Sequence, residues 1–492
     1  MSSSRRQRAE LESRVRRLIN VGREQPWLEF KEDGLREGAR IAEYVSALGN
    51  SACLSGEPAG YLLWGISDSG EIVGTTFDWE AAKGKGNADL KPWLTEKISP
   101  KIDLTFDSLE IDGKRVVILR VPAAREAPLT FEDKRYIRID SYNKNLIKNP
   151  QAERQLWLKL QQFSRESELV ASNLESSDIL ELLSREAFVM NRKELLHLEG
   201  EALVETMRRD GAVTYTHEDG WGIPLWSALM YAQHLSSFDG LNSYQPRIFL
   251  YSGESTDTFK REKRFDQGYA LSFGRVIELV SATAPGGEGY DSRSGRRIDV
   301  PTLPTIAFRE VYANALLHQD LNDTGKFVTI SVFADRIEVA NPGTPLVDPD
   351  RFIDAVSDSR NQRLGEALRR AYFVEQRGSG WDKIVQSLEE EHFPPALVRV
   401  NGSTVVSLSA YRPYSMMSMR ERMQAVYQHT CLSLLRAQPV NNASVRARFG
   451  LDSSHAAQVS RLLSATVDEN LIRLYDPEAG PRSRRYVPNW AA

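Results

Sequence analysis

Segments with strand character alternate with helical segments along most of this chain. Residues 39–52 (ARIAEYVSALGNSA) have helical spacing, and residues 60–66 (GYLLWGI) form a short apolar run bounded by glycine, which is typical of a buried strand. The alternation recurs between residues 304 and 410, where a strongly periodic helix precedes two strands. This pattern predicts a mixed α/β protein, because neighbouring helices and strands bury their apolar faces in shared layers.

Composition limits the classes to which the chain can belong. Its 492 residues are enough for three or four domains, and 41% hydrophobic with 26% charged residues is typical of globular proteins. The net charge of −4 argues against a globally basic nucleic-acid binder. Two distant cysteines, Cys53 and Cys431, argue against thiolate zinc and a disulfide framework. Without a signal-peptide pattern or a run of about 18 apolar residues, we expect a soluble, cytoplasmic protein with no membrane partner.

The segment REQPWLEFKEDG (residues 23–34) carries the first candidate site. Glu24 and Glu29 flank an apolar break, Lys31 follows, and Asp68 lies in a predicted turn after a buried strand. Clustered carboxylates can hold Mg²⁺ or Mn²⁺ beside a phosphodiester, and a lysine can stabilise the charge that develops there. One interpretation is therefore a metal-dependent nuclease site. The other is a solvated strand edge with ordinary turn acids.

A second candidate site, for a nucleotide, lies between residues 304 and 385. Glu310 and Asn314 share one helix face; the amide can ligate Mg²⁺ and the carboxylate can activate water. An Asn-Pro-Gly turn follows a strand, and the RGSG turn opens a helix whose N–H groups can receive phosphate. The alternative is a packed or capping Asn and a plain turn. The candidate nucleotide-binding residues are Glu310, Asn314, Asn341, Gly343, Gly378 and Gly380.

Residues 418–492 predict three helices and two short strands, the pattern of a winged helix-turn-helix. Its predicted recognition helix and wing carry polar and basic side chains that can contact DNA bases and phosphates. The alternative is a protein-docking or dimerisation module. The side chains concerned are Ser454, His455, Gln458, Ser460, Arg461, Arg482, Arg484 and Arg485.

The order of motifs in the N-terminal part resembles the Schlafen AlbA-2 domain, also called divergent AAA-4. The matching stretches are EQPWLEFKEDG, YLLWGISDSGEIVG and RYIRIDSYNKN. The resemblance implies nucleic-acid binding, and it places Glu24, Glu29 and Asp68 at the positions of the acids with which RNA-cleaving relatives work. Ser67 stands where the family pattern has a further acid.

The part from LPTIAFREVYANALLHQDL through DRIEVANPG to RGSGWDKI resembles the GHKL-like module that many bacterial proteins fuse to AlbA-2. The resemblance implies ATP held between the helix of Glu310 and Asn314 and the turn of Gly378 and Gly380. GHKL ATPases usually read adenine with an Asp, whereas the matching residue here is Asn341. No G-x-x-x-x-G-K-[ST] motif marks a P-loop motor.

Together these observations predict a multidomain α/β chain. The expected domains are an AlbA-2 domain (1–163), a mixed α/β connecting region (164–300), a GHKL-like sandwich (301–415) and a winged helix (416–492).

The leading functional prediction is a nucleotide-responsive, nucleic-acid-binding protein with an RNA-directed endonuclease site, acting in bacterial defence against phage and able to form a homo-oligomer. The alternative is an ATP-sensing transcriptional regulator without catalytic activity. We also expect ATP to order the polar, lid-like segment 344–377, which carries Asp358, Arg360, Asn361 and Arg363, without a need for fast hydrolysis.

Overall fold

The structure is a computed structural model that describes residues 2–21, 23–125, 127–139, 142–161, 165–216, 220–290, 297–354, 359–374, 380–481 and 483–491. The chain folds into two compact units. The N-terminal unit comprises Met1–Ser176 and Arg208–Ile223, and the C-terminal unit comprises Ser177–Met207 and Pro224–Ala492. The predicted mixed α/β multidomain class is confirmed, whereas the finer division into four domains stays a prediction.

The N-terminal unit contains four helices and the strands β1 to β11 among its described residues. The helices are α1 (Ser2–Ile19), α2 (Gly38–Ser55), α3 (Leu90–Lys97) and α4 (Pro150–Gln161). The strands are β1 (Leu28–Lys31), β2 (Ala59–Trp64), β3 (Ile98–Ser99), β4 (Thr105–Ile111), β5 (Lys114–Pro122), β6 (Thr130–Phe131), β7 (Lys134–Ile139), β8 (Tyr142–Asn145), β9 (Leu169–Leu174), β10 (Thr214–Thr216) and β11 (Gly220–Pro224).

Two four-stranded sheets form the main part of this unit. The first has the order β1-β2-β5-β4, in which β1 runs parallel to β2 and the other neighbours are antiparallel. The second has the order β3-β6-β7-β8, so that β8 lies at its edge. The all-buried strand β2 supplies Leu62 and Trp64 to a core that also includes Ile41 of α2. Parallel pairing places Glu29 on the edge strand β1 beside Leu62 of the inner strand β2.

Polar side chains on the buried face of α2 hold this helix against β7. The Ser46 hydroxyl accepts a hydrogen bond from the Tyr136 N–H at 3.0 Å, and the Asn50 amide donates to the Tyr136 carbonyl at 2.9 Å. The Ser51 hydroxyl accepts from the N–H of Arg138 at 3.0 Å. These bonds satisfy backbone groups of β7 and fix the position of Arg138.

The SDSG turn and the strand-like EIVGTTF (residues 71–77) after the apolar run at 60–66 predict a hairpin, and this prediction is wrong in its second strand. Residues 71–77 form no strand, and only an isolated bridge joins Ile66 to Ile72. A strand offers two edges for pairing, and β2 uses one for β1 and the other for β5. The chain therefore leaves the sheet after Gly65, whose φ of 92° favours glycine.

The C-terminal part of the chain contains helices α5 to α15 and strands β12 to β21 among the described residues. The helices are α5 (Ser176–Leu182), α6 (Arg185–Phe188), α7 (Gly200–Arg209), α8 (Leu225–Tyr231), α9 (Tyr269–Thr283), α10 (Thr305–His318), α11 (Gln362–Arg370), α12 (Gly380–Glu390), α13 (Met419–Leu435), α14 (Asn442–Arg448) and α15 (Ala456–Asp468). The strands are β12 (Arg247–Tyr251), β13 (Phe259–Arg264), β14 (Gly287–Tyr290), β15 (Arg297–Val300), β16 (Thr329–Val332), β17 (Arg336–Pro342), β18 (Leu397–Val400), β19 (Ser403–Ser409), β20 (Ile472–Leu474) and β21 (Tyr486–Pro488).

A six-stranded sheet with the order β13-β12-β16-β17-β19-β18 organises the C-terminal unit. Residues alternate along β12, β16 and β17, and their buried side chains, such as Ile248 and Ile337, face the core. Helix α10 packs on β17 and on α12. Because β12 pairs in parallel with β16, this sheet crosses the boundary predicted at residue 300. The glycine-rich, charged segment 284–297 predicts a loop, and this prediction is wrong in part, since β14 and β15 pair as an antiparallel ribbon.

The last part of the unit has a small core of its own. Helices α13, α14 and α15 bury residues that include Val426, Val445 and Val459. Strands β20 and β21 form a two-stranded antiparallel sheet beside them. Among the described helices of the whole chain, none combines the length and the apolarity that crossing a bilayer requires.

Candidate functional site

A tight turn brings Glu24 and Glu29 to the same end of the first sheet. Gln25 and Leu28 exchange two backbone hydrogen bonds of 3.0 Å, which folds the chain back around the Pro-Trp pair. The Glu24 carboxylate then accepts a hydrogen bond from the Phe30 N–H at 3.1 Å. The bend that the sequence required is therefore present, and both acids lie beside Lys31 on β1.

Two cations and a phenol surround these acids and complete what we call the carboxylate cluster: Glu24, Glu29, Lys31, Tyr44 and Arg138. The Lys31 Nζ lies 2.5 Å from Glu29 Oε1 and 3.9 Å from Glu24 Oε1. The Arg138 guanidinium pairs with Glu29 and lies 3.5 Å from Glu24 Oε2, and the Tyr44 hydroxyl donates to Glu29 Oε1 at 3.0 Å. Two carboxylates thus face two cations, and the cluster carries no net charge.

Burial differs across the carboxylate cluster. The side chains of Arg138 and Glu29 are 0% and 2% exposed, whereas those of Glu24 and Lys31 are 21% and 27% exposed. Burial, followed by the hydrogen bond and charge of Glu29, raises the pKa of Glu24. Burial acts to lower the pKa of Lys31, but the bond and charge of Glu29 outweigh it, and the pKa is raised. The cluster therefore turns one acid and one ammonium toward solvent.

The predicted third acid does not join this site. Asp68 is exposed in the Ser67–Gly70 turn, which follows the departure of the chain from β2. Among the described residues, which include all three predicted metal ligands, no group of three or more Asp, Glu, His or Cys side chains could hold a metal ion. The Glu24 and Glu29 carboxylates are already engaged by hydrogen-bond donors and cations. The site as built does not fit the predicted Mg²⁺ or Mn²⁺.

The second candidate site, the α10–α12 site, consists of Glu310, Asn314 and Gly380. A Cβ atom on Gly380 would lie 3.2 Å from Glu310 Oε2 and 3.4 Å from Asn314 Nδ2, so the start of α12 touches both side chains of α10. Glu310 is buried and pairs with Arg309. The half-buried Asn314 amide makes no hydrogen bond to any described residue. Gly378, the remaining glycine of the predicted turn, lies outside the described residues.

Asn341 and Gly343 lie near the other end of α10. The buried Asn341 amide donates to the Pro342 carbonyl at 3.1 Å. Gly343 has a φ of 90°, and a Cβ there would lie 2.8 Å from the Cβ of Asp320. Asp320 lies two residues beyond the end of α10, and that end is four residues, or roughly 6 Å of helix axis, past Asn314. The predicted nucleotide-binding residues thus fall into two groups at separate points along α10.

The predicted lid contains ordered structure. Asn361 is buried, and its amide donates to the carbonyls of Leu317 at 2.9 Å and Gln319 at 2.8 Å. Arg360 donates to the Thr344 carbonyl at 2.7 Å. Helix α11 follows directly. Arg360 and Asn361 already donate hydrogen bonds to carbonyls at the end of α10 and after β17. The prediction that ATP orders these residues is therefore wrong for Arg360 and Asn361. Asp358 lies outside the described residues.

Helix α12 ends in a buried charged group that joins it to the terminal helices. Glu389 lies 3.0 Å from the Nδ1 of His429 on α13 and 3.5 Å from the Nε of Arg448 on α14. Burial lowers the pKa of Arg448 to about 10. One helix therefore contacts the α10–α12 site at its first residue and the terminal helices at its last turn.

The side chains predicted to read DNA are mostly at the surface. Ser454, Ser460 and Arg461 of the α15 region are exposed, as are Arg484 and Arg485 before β21. His455 and Gln458 are partly buried, and Arg482 lies outside the described residues. Hydrogen bonds from Ser454 and His455 hold the pKa of Asp452 at about 2, so this carboxylate caps the turn before α15.

Residues 24–147 match the protein family described as Schlafen, AlbA_2. This segment is similar to the Schlafen AlbA-2 domain. It contains the whole carboxylate cluster. Residues 325–408 match the family described as "Putative ATP-dependent DNA helicase recG C-terminal", whose ATPase-like character indicates ATP binding. The two matches point to a nucleic-acid-related function.

Solved structures resemble the chain only loosely. The crystal structure of the DIP2311 protein from Corynebacterium diphtheriae covers 98% of this chain and 97% of its own, at 16% identity and a TM-score of 0.41. The solution structure of the N-terminal domain of a RecG-related protein from Nitrosomonas europaea covers 27% of this chain and 91% of its own, at 22% identity and a TM-score of 0.18. Such TM-scores are too low to define the fold. A search of the curated proteins found no match.

Arg138 and Tyr44 are the members of the site that sequence reasoning missed. Arg138 lies in the stretch RYIRIDSYNKN that carries the AlbA-2 resemblance, so the signal was present. Its partner Glu24 is 114 positions away, and no local spacing rule links the two.

Proposed function

We propose that this protein binds nucleic acid through its AlbA-2 domain and binds ATP at the α10–α12 site. The observation that carries the nucleotide part is the contact of Gly380 with both Glu310 and Asn314, which are distant in sequence. A helix start beside an amide that makes no hydrogen bond to a described residue offers donors to a phosphate and a ligand to its Mg²⁺. Asn341 at the end of β17, near the C-terminal end of α10, would contact the adenine.

Calorimetry tests this proposal. Wild-type protein is titrated with ATP·Mg²⁺ and with a non-hydrolysable analogue, and both are expected to bind. Asn314→Ala is expected to weaken binding by at least about tenfold, the equivalent of one lost hydrogen bond to a charged group. Asn401→Ala, in an exposed hairpin turn, is the matched control. Absence of heat from wild type at millimolar ATP would contradict the proposal.

A second candidate function is RNA cleavage at the carboxylate cluster, favoured by the pairing of Glu24 and Lys31 at its solvent side. Glu24, with its raised pKa, would take the proton of a ribose 2′-hydroxyl. The 2′-oxygen bonds to phosphorus as the bond to the 5′-oxygen breaks, and the leaving oxygen takes a proton from solvent. Lys31 would stabilise the charge on the phosphoryl oxygens. The products are a 2′,3′-cyclic phosphate and a 5′-hydroxyl.

Labelled RNA and a 2′-deoxy copy, each with Mn²⁺ or with EDTA, separate the mechanisms. Cleavage of RNA alone in EDTA, lost in Glu24→Gln, supports the metal-free route. Cleavage only with Mn²⁺ would instead support the metal-dependent prediction and require Arg138 to move. If wild type and Glu24→Gln leave both substrates intact, the cluster has a structural role only.

The exposure of Arg461, Arg484 and Arg485 favours a regulator that binds duplex DNA through a winged helix. Arg461→Glu is expected to lower duplex affinity without changing single-strand affinity. Equal effects on both ligands would contradict a separate duplex site.

A further inference from the structure

A cationic surface that none of the sites above includes runs along β8 and α4. Its four cations, Lys144, Lys148, Arg154 and Lys159, are all exposed. None of them forms an ion pair with a described residue. The one acid between residues 142 and 159 is Glu153, and it pairs with Arg135. In a chain of net charge −4, these 18 residues therefore form a local excess of positive charge.

Exposed aromatic rings lie among these cations. Tyr142 on β8 is 70% exposed, and Trp157 on α4 is 38% exposed. A large ring at a protein surface lacks the favourable free energy of burial, and exposed rings of this kind are typical of binding surfaces. Aromatic faces next to lysines form the usual platform for unpaired bases and their phosphates. We call the set of Tyr142, Lys144, Lys148, Arg154, Trp157 and Lys159 the basic strip.

The basic strip borders the carboxylate cluster. Strands β7 and β8 are antiparallel neighbours, and Arg138 pairs with Asn143 in their register. Neighbouring strands lie about 5 Å apart. Paired residues share a face of the sheet, so Asn143 lies on the face of Arg138, whereas Tyr142 and Lys144 on either side of it lie on the opposite face. The basic strip is therefore one strand away from the arginine that contacts Glu24 and Glu29, but on the other face of the sheet.

We propose that the basic strip binds single-stranded nucleic acid, with phosphates at its lysines and bases stacked on Tyr142 and Trp157. The inference rests on the proposed nucleic-acid binding of the AlbA-2 domain and adds its location and its ligand class. Single strands are specified because duplex bases are stacked on each other and cannot reach a protein ring.

Fluorescence anisotropy with a labelled single-stranded RNA, its DNA copy and the RNA duplex tests the inference, with all binding measured in EDTA to prevent metal-dependent cleavage. Lys144→Glu/Lys148→Glu is expected to weaken single-strand binding by at least about tenfold. Each phosphate contact contributes about −0.7 to the slope of log affinity against log salt, so the double variant should also flatten that slope by about 1.4. Tyr142→Ala is expected to cost roughly tenfold at unchanged slope, because it removes stacking and no charge.

The matched control is Lys260→Glu/Lys263→Glu on the exposed edge strand β13, which changes the net charge equally. It should stay within about twofold of wild type, since global charge acts only weakly at a distance in salt. Melting curves establish that each variant folds, and Lys144→Gln/Lys148→Gln repeats the test without charge reversal.

The outcomes separate the two proposals. If wild type binds none of the three ligands, the proposal of nucleic-acid binding is wrong, and so is the inference about the basic strip. If wild type binds but the strip variants and the β13 control behave alike, the binding surface lies elsewhere and only this inference is overturned. A preference for the duplex over both single strands would also overturn it.

Discussion

The carboxylate cluster and the α10–α12 site both bury a glutamate beside a cation, but they differ in what is left unsatisfied. In the cluster, Glu29 is held by Lys31, Arg138 and Tyr44, and each charge has a counter-charge. In the α10–α12 site, Glu310 pairs with Arg309, while the neighbouring Asn314 amide has no described hydrogen-bond partner. The first site pairs its charges internally, although two buried guanidinium nitrogens of Arg138, Nε and Nη1, have no hydrogen-bond partner among the described residues. The second site offers a polar group that a ligand can satisfy.

This difference separates stability from binding. A buried network of paired charges is costly to disrupt, because removal of one member leaves another charge without compensation. A substitution in a partly open site should change the free energy of unfolding little and the affinity for the ligand strongly. Four variants, ordered by expected free-energy effect, test whether the two sites differ in this way.

Arg138→Met should produce the largest change. It leaves Glu29 buried with one cation fewer, and the free energy of unfolding should fall by about 3–5 kcal/mol. Urea denaturation measures the effect, and Arg154→Met, an exposed arginine of α4, should stay within about 0.5 kcal/mol of wild type. A loss below about 1 kcal/mol for Arg138→Met would show that the cluster does not depend on its ion pairs.

Asn341→Asp should change stability and binding in opposite directions. The new carboxylate loses the bond to the Pro342 carbonyl and is buried, which should cost about 1–3 kcal/mol of unfolding free energy. The acid also restores the group with which GHKL ATPases usually read adenine, so calorimetry should show tighter ATP binding. Asn401→Asp, at an exposed turn, should do neither. Unchanged ATP affinity would place adenine elsewhere.

Gly380→Ala should weaken ATP binding by about tenfold, or about 1.4 kcal/mol, with little loss of stability. Its Cβ would enter the space between Glu310 and Asn314 at 3.2 Å and 3.4 Å. Gly274→Ala is the matched control, since a Cβ at this glycine of α9 meets nothing within 4 Å. Equal ATP affinity for both variants would show that ATP does not bind at the α10–α12 site.

Glu24→Gln should give the smallest change, in the pH dependence of stability. Because the pKa of Glu24 is raised above its ordinary 4.5 by burial and then by Glu29, the folded protein binds this proton more tightly than the unfolded chain. The Glu24 contribution to stability is therefore lost as the pH rises from 4.5 through the raised pKa. The fall in unfolding free energy over that window should be shallower in Glu24→Gln, and unchanged in the exposed variant Glu110→Gln. A steeper fall would contradict the direction of the shift.

Local sequence was a sufficient guide wherever the partners of a residue are near in the chain. The EFK motif placed Glu29 and Lys31 together, and the i, i+4 spacing placed Glu310 and Asn314 on one face of α10, because strand and helix geometry fix such pairs. The periodicity after residue 304 likewise predicts α10, and the RGSG turn predicts the helix α12 that follows it. The fold does not test the winged-helix and nuclease predictions, because both concern what the protein binds or cleaves.

The errors arose where distant segments compete. Residues 71–77 have strand character, but β1 and β5 already occupy both edges of β2, and Asp68 leaves the site as a result. Asn361 has the composition of a mobile loop, yet two carbonyls near the end of α10 need its amide. The pairing of β12 with β16 joins residues about eighty positions apart and has no local signature.

Helix α12 has 11 residues and so a length of about 16 Å. Its first residue lies against Glu310 and Asn314, and Glu389 in its last turn contacts His429 and Arg448. A helix of this length moves nearly as a rigid rod, so a ligand that displaces its start also displaces Glu389. Such linkage is reciprocal. If ATP changes the affinity of a partner that binds the terminal helices and moves Glu389, that partner must change the affinity for ATP by the same factor.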